Sequence, residues 1–175
     1  LWFHANGIDE SNVHHPYKVK SHGIGNSQIL PKDYRRKGDI ELILREMAEQ
    51  VAVRLRRVRK KTTCVSIHVG YSRTEEKKSI QAQRKIDQTN QTKPLTEVVL
   101  DLFRQKYTSG AVRRVGISYQ GLVDEAITVY SLFDDYEQVE KEEKLQKAVD
   151  TIRDEFGFTS LLKANSLLES YRVKA

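Results

Sequence analysis

An alternation of two hydrophobic periods constrains the fold of this 175-residue chain more than any other feature of its sequence. In some segments every second residue is apolar, as in a half-buried strand, and in others apolar residues recur three or four positions apart, as in an amphipathic helix. The segments follow in the order strand, helix, strand, strand, helix, strand. This βαββαβ order predicts an α+β fold, a four-stranded antiparallel sheet with both helices on one face.

Two segments show the helical period. The first runs from Asp39, a candidate N-cap, to Val58, and the second begins with Pro94 in its first turn. Their apolar positions are Ile40, Ile43, Leu44, Met47, Val51 and Leu55, then Leu95, Val98, Val99, Leu102 and Phe103. The first helix ends in a basic run at residues 54–61. Two explanations of that run stay open, since cations stabilise a helix C-terminus and also bind anionic ligands.

Four segments show the strand period. The first, residues 19–30, contains two glycines and precedes Pro31, which is typical of a short edge strand. The next two cover residues 62–71 and 78–86, and the last is marked by Val112, Val115, Ile117 and Tyr119. The polar positions of the two middle strands are Cys64, Ser66 and His68, then Ser79, Gln81, Gln83 and Lys85. Because these alternate with apolar positions, we expect one face of the sheet to be open to a partner.

The charge balance favours an anionic partner. Lys and Arg number 30 against 24 Asp and Glu, which gives a formal net charge of +6 at pH 7. Charge alone does not decide the function, because many basic proteins bind no anion. No apolar run reaches the length of a membrane span, and the single Cys64 has no partner for an internal disulfide. We therefore expect a cytoplasmic protein without a membrane partner.

No group of residues in the sequence indicates catalysis or a resident metal ion. A glycine-rich phosphate loop is absent, and no nucleophile occurs together with a base and an orienting group. The pairs His14-His15 and Asp134-Asp135 lack the further ligands that a metal site needs. We expect neither catalytic residues nor metal ligands in this stretch of chain.

Basic and hydrogen-bonding residues lie at strand positions where a nucleic-acid backbone can be held. Arg113-Arg114 enters the last strand, Arg84 and Lys85 lie in the third, and Gly25-Asn26-Ser27 offers backbone amides and a hydroxyl in the first. Any one of these is more often a solvated surface residue. Their expected convergence on one face favours a shared role in positioning DNA without reading its sequence.

Three motifs carry a resemblance to a known family. They are Ser21-His22-Gly23-Ile24-Gly25-Asn26-Ser27, Leu30-Pro31-Lys32-Asp33-Tyr34 and Val112-Arg113-Arg114-Val115-Gly116-Ile117-Ser118. With the helix and strand pair between them, they resemble the little finger of Y-family translesion DNA polymerases, of the UmuC, ImpB, MucB and SamB type found in Gram-positive bacteria and their phages. Upstream, Ala5-Asn6-Gly7-Ile8-Asp9 resembles the end of that family's thumb.

The resemblance, together with a start at Leu1-Trp2-Phe3, leads us to expect an excerpt from a longer protein. We expect the end of the thumb at residues 1–16, the little-finger domain at 17–122 and a partly helical C-terminal tail at 123–175. The catalytic palm, its Mg²⁺ and its small-molecule substrates would then lie outside this chain. The resemblance thus implies a non-catalytic portion of an enzyme that acts in DNA damage tolerance and the SOS response, with no cofactor of its own.

The resemblance also implies how the domain contacts DNA, through the backbone of the primer-template along the major groove. By position, Arg113-Arg114 matches the family's basic pair in the last strand, and Gly25-Asn26-Ser27 matches its contact in the first strand. Ser118 and Ala82 occupy positions where other members carry basic residues. We keep Ser118 as a candidate contact and expect the grip to be redistributed toward Arg84-Lys85.

A second motif lies in the tail. Val129-Tyr130-Ser131-Leu132-Phe133 resembles the short segment with which polymerases bind the sliding clamp, in which a Leu-Phe pair enters an apolar pocket. Val129 stands where the motif usually begins with Gln. The alternative is that Leu132 and Phe133 pack on the domain itself.

The rest of the tail predicts a charged helix over residues 137–156 with a thin apolar stripe, stopped by Gly157. Four leucines follow, and three roles stay open for them: packing on this helix, docking on the polymerase body, or contact with another protein. They are Leu161, Leu162, Leu167 and Leu168.

Two other classes of function fit the same fold. RNA-binding RRM domains share this order of strands and helices, but they carry stacking aromatic residues on the third strand. Residues 78–86 contain none. A protein-interaction domain that uses the open face, with its basic charge incidental, is the other alternative.

Overall fold

The computed structural model describes residues 2–8, 23–125 and 136–164 of the chain. Its elements are α1 (Trp2–Ala5), β1 (Gly23–Tyr34), α2 (Lys37–Arg57), β2 (Lys60–Tyr71), β3 (Ile80–Thr89), α3 (Thr92–Lys106), β4 (Val112–Asp124), α4 (Tyr136–Phe156) and a 3-10 turn (Phe158–Ser160). The predicted βαββαβ order is confirmed from β1 to β4. Within the described ranges, no helix has both the length and the apolar composition that a membrane span requires.

All four strands form one antiparallel sheet in the order β1-β4-β2-β3. The last strand in the chain therefore lies inside the sheet, and β1 and β3 form its edges. Helices α2 and α3 pack on each other and on one face of the sheet. The predicted α+β fold, with two helices on one face, is confirmed.

The core lies between the sheet and these two helices. Alternate residues of β2 and β4 point into it, and so do the predicted stripes of the helices. Its largest fully buried side chains are Tyr119, Phe103, Leu30, Ile40, Ile43, Leu44, Leu55, Leu95, Val51, Val65, Val69 and Val99. Burying each of the large aliphatic ones stabilises the fold by about 1.5–3 kcal/mol. The Tyr119 hydroxyl donates a hydrogen bond to the Ala48 carbonyl, which satisfies it inside this layer.

The start of α2 differs from the prediction. Arg36 occupies the N-cap position and Asp39 lies in the first turn, so the assignment of Asp39 as the N-cap was wrong. The reason lies in β1, which ends with the side chain of Tyr34 buried in the core. The chain must turn into the helix directly after that anchor. Asp39 still has a favourable place there, because a carboxylate in the first turn interacts well with the helix dipole.

Strand β1 also continues four residues beyond its predicted end at Leu30 and includes Pro31. Its pairing with β4 shifts register between Ile29 and Tyr34. A proline is tolerated in such an irregular stretch of an edge strand, because its missing N–H need not complete a ladder. The edge position of β1 is confirmed, and the end predicted from Pro31 was wrong.

Helix α4 lies against the layer formed by α2 and α3 and is attached to it mainly by ion pairs. Arg56 of α2 donates to both carboxylate oxygens of Asp150, at 2.5 and 2.9 Å. Arg153 donates to Glu49 of α2 at 2.9 Å, with both side chains buried. A helix held by charged groups needs only a thin apolar stripe, which explains the weak pattern in its sequence.

The segment after α4 folds back onto it. The Leu161 carbonyl accepts hydrogen bonds from two nitrogens of Arg153, at 3.1 and 2.7 Å. Leu161 and Leu162 line a groove with Leu145 of α4. Both side chains remain exposed, at 39% and 38%, so the three roles left open for the terminal leucines stay open for these two. Leu167 and Leu168 lie outside the described residues.

Candidate nucleic-acid interface

The face of the sheet opposite the helices presents rows of side chains, each row formed by residues paired across the strands. The rows are Gly23–Gln120–Cys64–Lys85, Gly25–Ser118–Ser66–Gln83, Ser27–Gly116–His68–Gln81 and Ile29–Arg114–Gly70. We call this set of residues the open face. It contains two permanent cations, Lys85 and Arg114, and no Asp or Glu. An uncovered sheet surface of this composition suits an anionic partner.

Glycines keep the open face flat. A Cβ atom on Gly25 would lie 2.7 Å from the Ile117 carbonyl oxygen, and one on Gly116 would lie 3.2 Å from Cβ of Ser27. Since both contacts are closer than ordinary packing, a side chain at either position would force its neighbours to move. Strand glycines of this kind leave the backbone accessible to a closely approaching ligand.

The centre of the open face is a shallow hollow of about 550 Å³. Hydroxyl, amide and imidazole groups line it, among them Ser27, Ser66, His68, Gln83, Ser118 and Gln120. The Ser66 hydroxyl donates to the Ser118 carbonyl at 3.3 Å, and Gln120 Nε2 donates to that hydroxyl at 3.5 Å. These long hydrogen bonds leave capacity for further partners. The hollow contains no Lys, Arg, Asp or Glu, and the two permanent cations lie in the neighbouring rows at its margins.

The open face brings together five of the predicted DNA contacts: Gly25, Ser27, Lys85, Arg114 and Ser118. Nε and Nη2 of Arg114 each lie 3.4 Å from the Ser27 hydroxyl, across the β1–β4 pair. These weak contacts orient the guanidinium beside the hydroxyl, and they leave the positive charge of the guanidinium unneutralised. Arg114 and Ser27 therefore form one cationic, hydrogen-bonding unit at the edge of the hollow.

The other three predicted contacts do not lie in these rows. Arg84 pairs with the core residue Val65, and its guanidinium lies 3.5 Å from Asp101 of α3. Asn26 pairs with the core residue Ile117 and accepts a hydrogen bond from the Ser27 N–H at 2.9 Å.

Arg113 lies beside Asp33 at 3.6 Å, at the irregular end of β1. Several candidates share one face, as expected, whereas Arg113, Arg84 and Asn26 are directed elsewhere. The reason is geometric, since consecutive residues of a strand point to opposite faces and an adjacent basic pair must split.

The basic run at the end of α2 has structural partners. Arg54 donates to the Gly25 carbonyl at 3.0 Å, Arg56 to Asp150, and Arg57 to Asp154. Lys60 donates to Asp124 at 2.6 Å, at the far end of the sheet. These contacts favour stability over ligand binding for the four residues, but the stabilisation comes from attaching β1, β4 and α4 and not from the helix dipole alone.

Several residues of the open face were not identified as candidates from the sequence. A search for Lys and Arg passed over them, because they are Ser66, His68, Gln81, Gln83 and Gln120. The sequence nevertheless indicated their exposure, because the first four of these residues stand at the polar positions of two predicted strands. The pairing of those strands, which aligns the positions in rows, was the missing information.

The predicted clamp-binding residues, Val129, Tyr130, Ser131, Leu132 and Phe133, lie outside the described residues, as do His14-His15 and Asp134-Asp135. Elements on both sides of residues 126–135 belong to the domain. Strand β4 ends at Asp124, paired with β2, and α4 begins at Tyr136.

Residues 21–132 match the family described as impB/mucB/samB family C-terminal domain. The protein UvrX of Bacillus subtilis (strain 168) is 34% identical over 167 residues, covering 95% of this chain and 40% of the relative. DNA polymerase IV 2 of Halalkalibacterium halodurans is 30% identical over 175 residues, covering 99% of this chain and 42% of the relative. The chain thus spans about two fifths of the length of these relatives.

A solved complex of beta-clamp processivity factor and little finger domain of PolIV also resembles this chain. Its TM-score is 0.48 at 13% sequence identity, and the match covers 64% of this chain and 98% of that chain.

Proposed function

This chain belongs to the impB/mucB/samB family of C-terminal domains, the little-finger region of Y-family DNA polymerases, and on that basis we propose that it holds the primer-template duplex for a lesion-bypass polymerase. The observation that carries the proposal is the open face, whose rows contain Arg114 and Lys85 but no carboxylate. Duplex DNA is a dense array of phosphates, so such a surface attracts it.

The placement of the two cations supports contacts with both strands of a duplex. Arg114 on the inner strand β4 and Lys85 on the edge strand β3 lie in rows at opposite ends of the open face, about 10 Å apart across the strands and about 20 Å along them. One phosphate cannot bridge that distance, so each cation serves a separate phosphate. The separation is on the scale of a major groove about 12 Å wide together with its flanking backbones.

The chemistry of the hollow favours backbone contacts over base readout. Its groups are serine hydroxyls, glutamine amides and the strand backbone beside Gly25 and Gly116. A flat sheet with such short side chains does not reach deep into a groove, and phosphate contacts carry no sequence information. A polymerase that grips backbone in this way tolerates altered bases, which is the property that lesion bypass requires.

Titration of labelled primer-template duplex with the 175-residue chain tests this proposal. We expect weak binding that is similar for duplexes of unrelated sequence and falls steeply between about 50 and 200 mM salt through counterion release. Fluorescence anisotropy at several salt concentrations measures it. Binding that ignores salt, or no binding at the lowest salt, would refute the role in holding DNA.

The catalytic step belongs, in this proposal, to a palm domain of the parent polymerase that binds Mg²⁺ and lies outside this chain. The chain alone should then extend no primer when Mg²⁺ and nucleotides are supplied. A primer-extension assay on a pure sample checks this, and extension would overturn the domain assignment.

We propose a second contact for residues 129–133, binding of the sliding clamp with Leu132 and Phe133 as apolar anchors. Two observations support it: the Leu-Phe motif itself, and its position between elements that belong to the folded domain. A segment tethered at both ends loses less conformational freedom on binding than a free terminus does.

The alternative functions receive less support. None of the open-face rows contains a Phe, Tyr or Trp, and strand β3 contributes no aromatic side chain to them on which an RNA base could stack, which argues against an RRM-like role. A protein partner on this face would have to match a polar, flat and cationic surface, whereas specific protein interfaces usually have a less charged core enriched in aromatic residues.

A further inference from the structure

We infer that His68 is a phosphate contact at the centre of the open face and that it makes duplex binding stronger as pH falls from about 8 to about 6. The inference rests on the proposed function, because it deepens the description of the same surface. It adds a titrating cation to the permanent ones.

The position of His68 carries the first step. It occupies the central strand β2, in the row Ser27–Gly116–His68–Gln81, and it lines the hollow. The row therefore places its imidazole between the Ser27 hydroxyl on one side and the Gln81 amide on the other.

Two glycine positions flank the imidazole of His68, which is itself half-buried. Its neighbour across the β2–β4 pair is Gly116, and Gly70 follows two positions along the strand on the same face. A Cβ atom on Gly70 would lie 3.6 Å from His68 Cε1. That Cβ atom would also lie 3.1 Å from Cβ of Arg114 and 3.9 Å from its Cδ. The imidazole and the Arg114 side chain therefore lie side by side over Gly70, where one phosphate can contact both.

The hydrogen-bonding state of His68 supports a contact with an external group. Within residues 23–125 and 136–164, the imidazole has no hydrogen bond or ion pair with another described residue. A histidine with a structural role usually has such a partner that sets its orientation.

The charges that face His68 favour an anion. Arg114 on β4 and Lys85 on β3 share its face, Cys64 is the other titratable group that β2 contributes to these rows, and β1 contributes only uncharged groups to them. The exposed Asp87 lies farther along β3, beyond Lys85 and outside the rows. An imidazolium here therefore meets cations and no carboxylate. A backbone phosphate diester supplies the anion with which a protonated imidazole pairs.

Proton linkage follows from this arrangement. If a phosphate favours the protonated imidazole over the neutral one, binding of DNA takes up a proton and the affinity rises as pH falls. Histidine side chains in peptides titrate near pH 6.5, within the range of the experiment. For a contact that favours the protonated form about tenfold, affinity should rise about three- to tenfold from pH 8 to pH 6.

The test is an anisotropy titration of labelled duplex with the full 175-residue chain at constant ionic strength, over about pH 6 to 8. We expect His68→Gln to bind as the wild type does at pH 8 and to lose the gain at pH 6. His68→Arg should bind tightly at both values. A matched control, the triple variant His14→Gln, His15→Gln, His22→Gln, should keep the wild-type pH profile.

Calorimetry separates this contact from a structural role. At about pH 6.5 the wild type should take up a fraction of one proton on binding, seen as a binding enthalpy that depends on the ionisation enthalpy of the buffer. His68→Gln should show no such dependence.

The failure of this inference is distinguishable from failure of the proposed function. If the wild type binds duplex in a salt-dependent way but His68→Gln retains its pH profile, the inference is wrong and the DNA role stands. If the triple histidine variant loses the profile instead, the inference is also wrong. If the wild type binds no duplex at any pH, both are overturned.

Discussion

Arg153 of α4 and Glu49 of α2 form a buried ion pair, with Arg153 Nη1 donating to Glu49 Oε1 at 2.9 Å. The other polar atoms of the two side chains also have partners. Two other nitrogens of Arg153 donate to the Leu161 carbonyl, its guanidinium lies 4.4 Å from the centre of the Phe158 ring, and Lys163 lies 3.4 Å from the second oxygen of Glu49. Full pairing is the condition under which a buried charge is tolerated. It joins α4 to the helical layer.

Replacing Arg153 with Met should release α4. Removing one partner of a buried ion pair costs about 3–5 kcal/mol. Here the loss of stability cannot exceed the free energy with which α4 docks on α2. Once α4 detaches, Glu49 is exposed to water and its charge is no longer buried. Hydrogen exchange should therefore become faster in α4, while the sheet amides stay protected.

The matched control is Lys144→Gln, which removes an exposed pair with Glu140 within α4. It should change the free energy of unfolding by no more than about 0.5 kcal/mol. Equal effects of the two variants on α4 exchange would contradict the role of the buried pair.

Arg114→Gln and Arg84→Gln remove the same charge from opposite faces of the sheet. Arg114 lies on the open face, whereas Arg84 is directed toward Asp101 of α3. Arg114→Gln should weaken duplex binding several-fold at low salt and reduce the slope of log K against log salt by about 0.9. Arg84→Gln should leave the slope nearly unchanged. Equal losses measured by anisotropy would show that net charge, rather than the open face, drives binding.

Acid should weaken the contact between α2 and α3 through Glu41. Arg104 donates to both of its carboxylate oxygens, at 2.9 and 2.7 Å, and these hydrogen bonds lower the pKa of Glu41. A carboxyl with a lowered pKa stabilises the fold above its ordinary value near 4.5 and loses that contribution as pH falls further.

Thermal unfolding across pH measures this effect. Glu41→Gln should be less stable than the wild type at neutral pH, and the difference should shrink below pH 4.5. Glu97→Gln, at an exposed position of α3, should show no such convergence. A constant difference between Glu41→Gln and the wild type would exclude the ionised pair as its cause.

Changing Leu132 and Phe133 together to Ala should abolish recovery of the sliding clamp in a pull-down, because the two apolar anchors would be lost. Binding of duplex should persist. The control is Leu161→Ala with Leu162→Ala, a second, exposed apolar pair of the tail that lines the groove beside α4. Clamp recovery unaffected by the first double variant would refute the motif.

Much of the fold was predictable, because the burial of a strand or helix is recorded locally in the spacing of its apolar residues. Val65, Ile67 and Val69 alternate in the sequence and are buried together in the structure. The ends of elements were less predictable. Pro31 indicated a strand end, yet the strand continued because Tyr34 anchors its last residue in the core.

The candidate site was predictable in chemistry but only in part by position. The sequence showed Arg113-Arg114 and Arg84-Lys85 as basic pairs, and strand alternation alone implies that each pair divides between two faces. Which member reaches the open face depends on the pairing of Gly70 with Arg114 and of Cys64 with Lys85. Register is set by the packing of the whole sheet, so no single segment reveals it.

By itself, the sequence determined the order of the elements, the helix-covered side of each strand and the family resemblance, because these follow from local spacing and motifs. Only the tertiary structure decided which residues share a row and which basic residues are internal partners. Arg56 meets Asp150 across 94 positions, and Arg153 meets Glu49 across 104. Contacts over such separations depend on how packed elements meet in space, and the pattern of one segment carries no record of them.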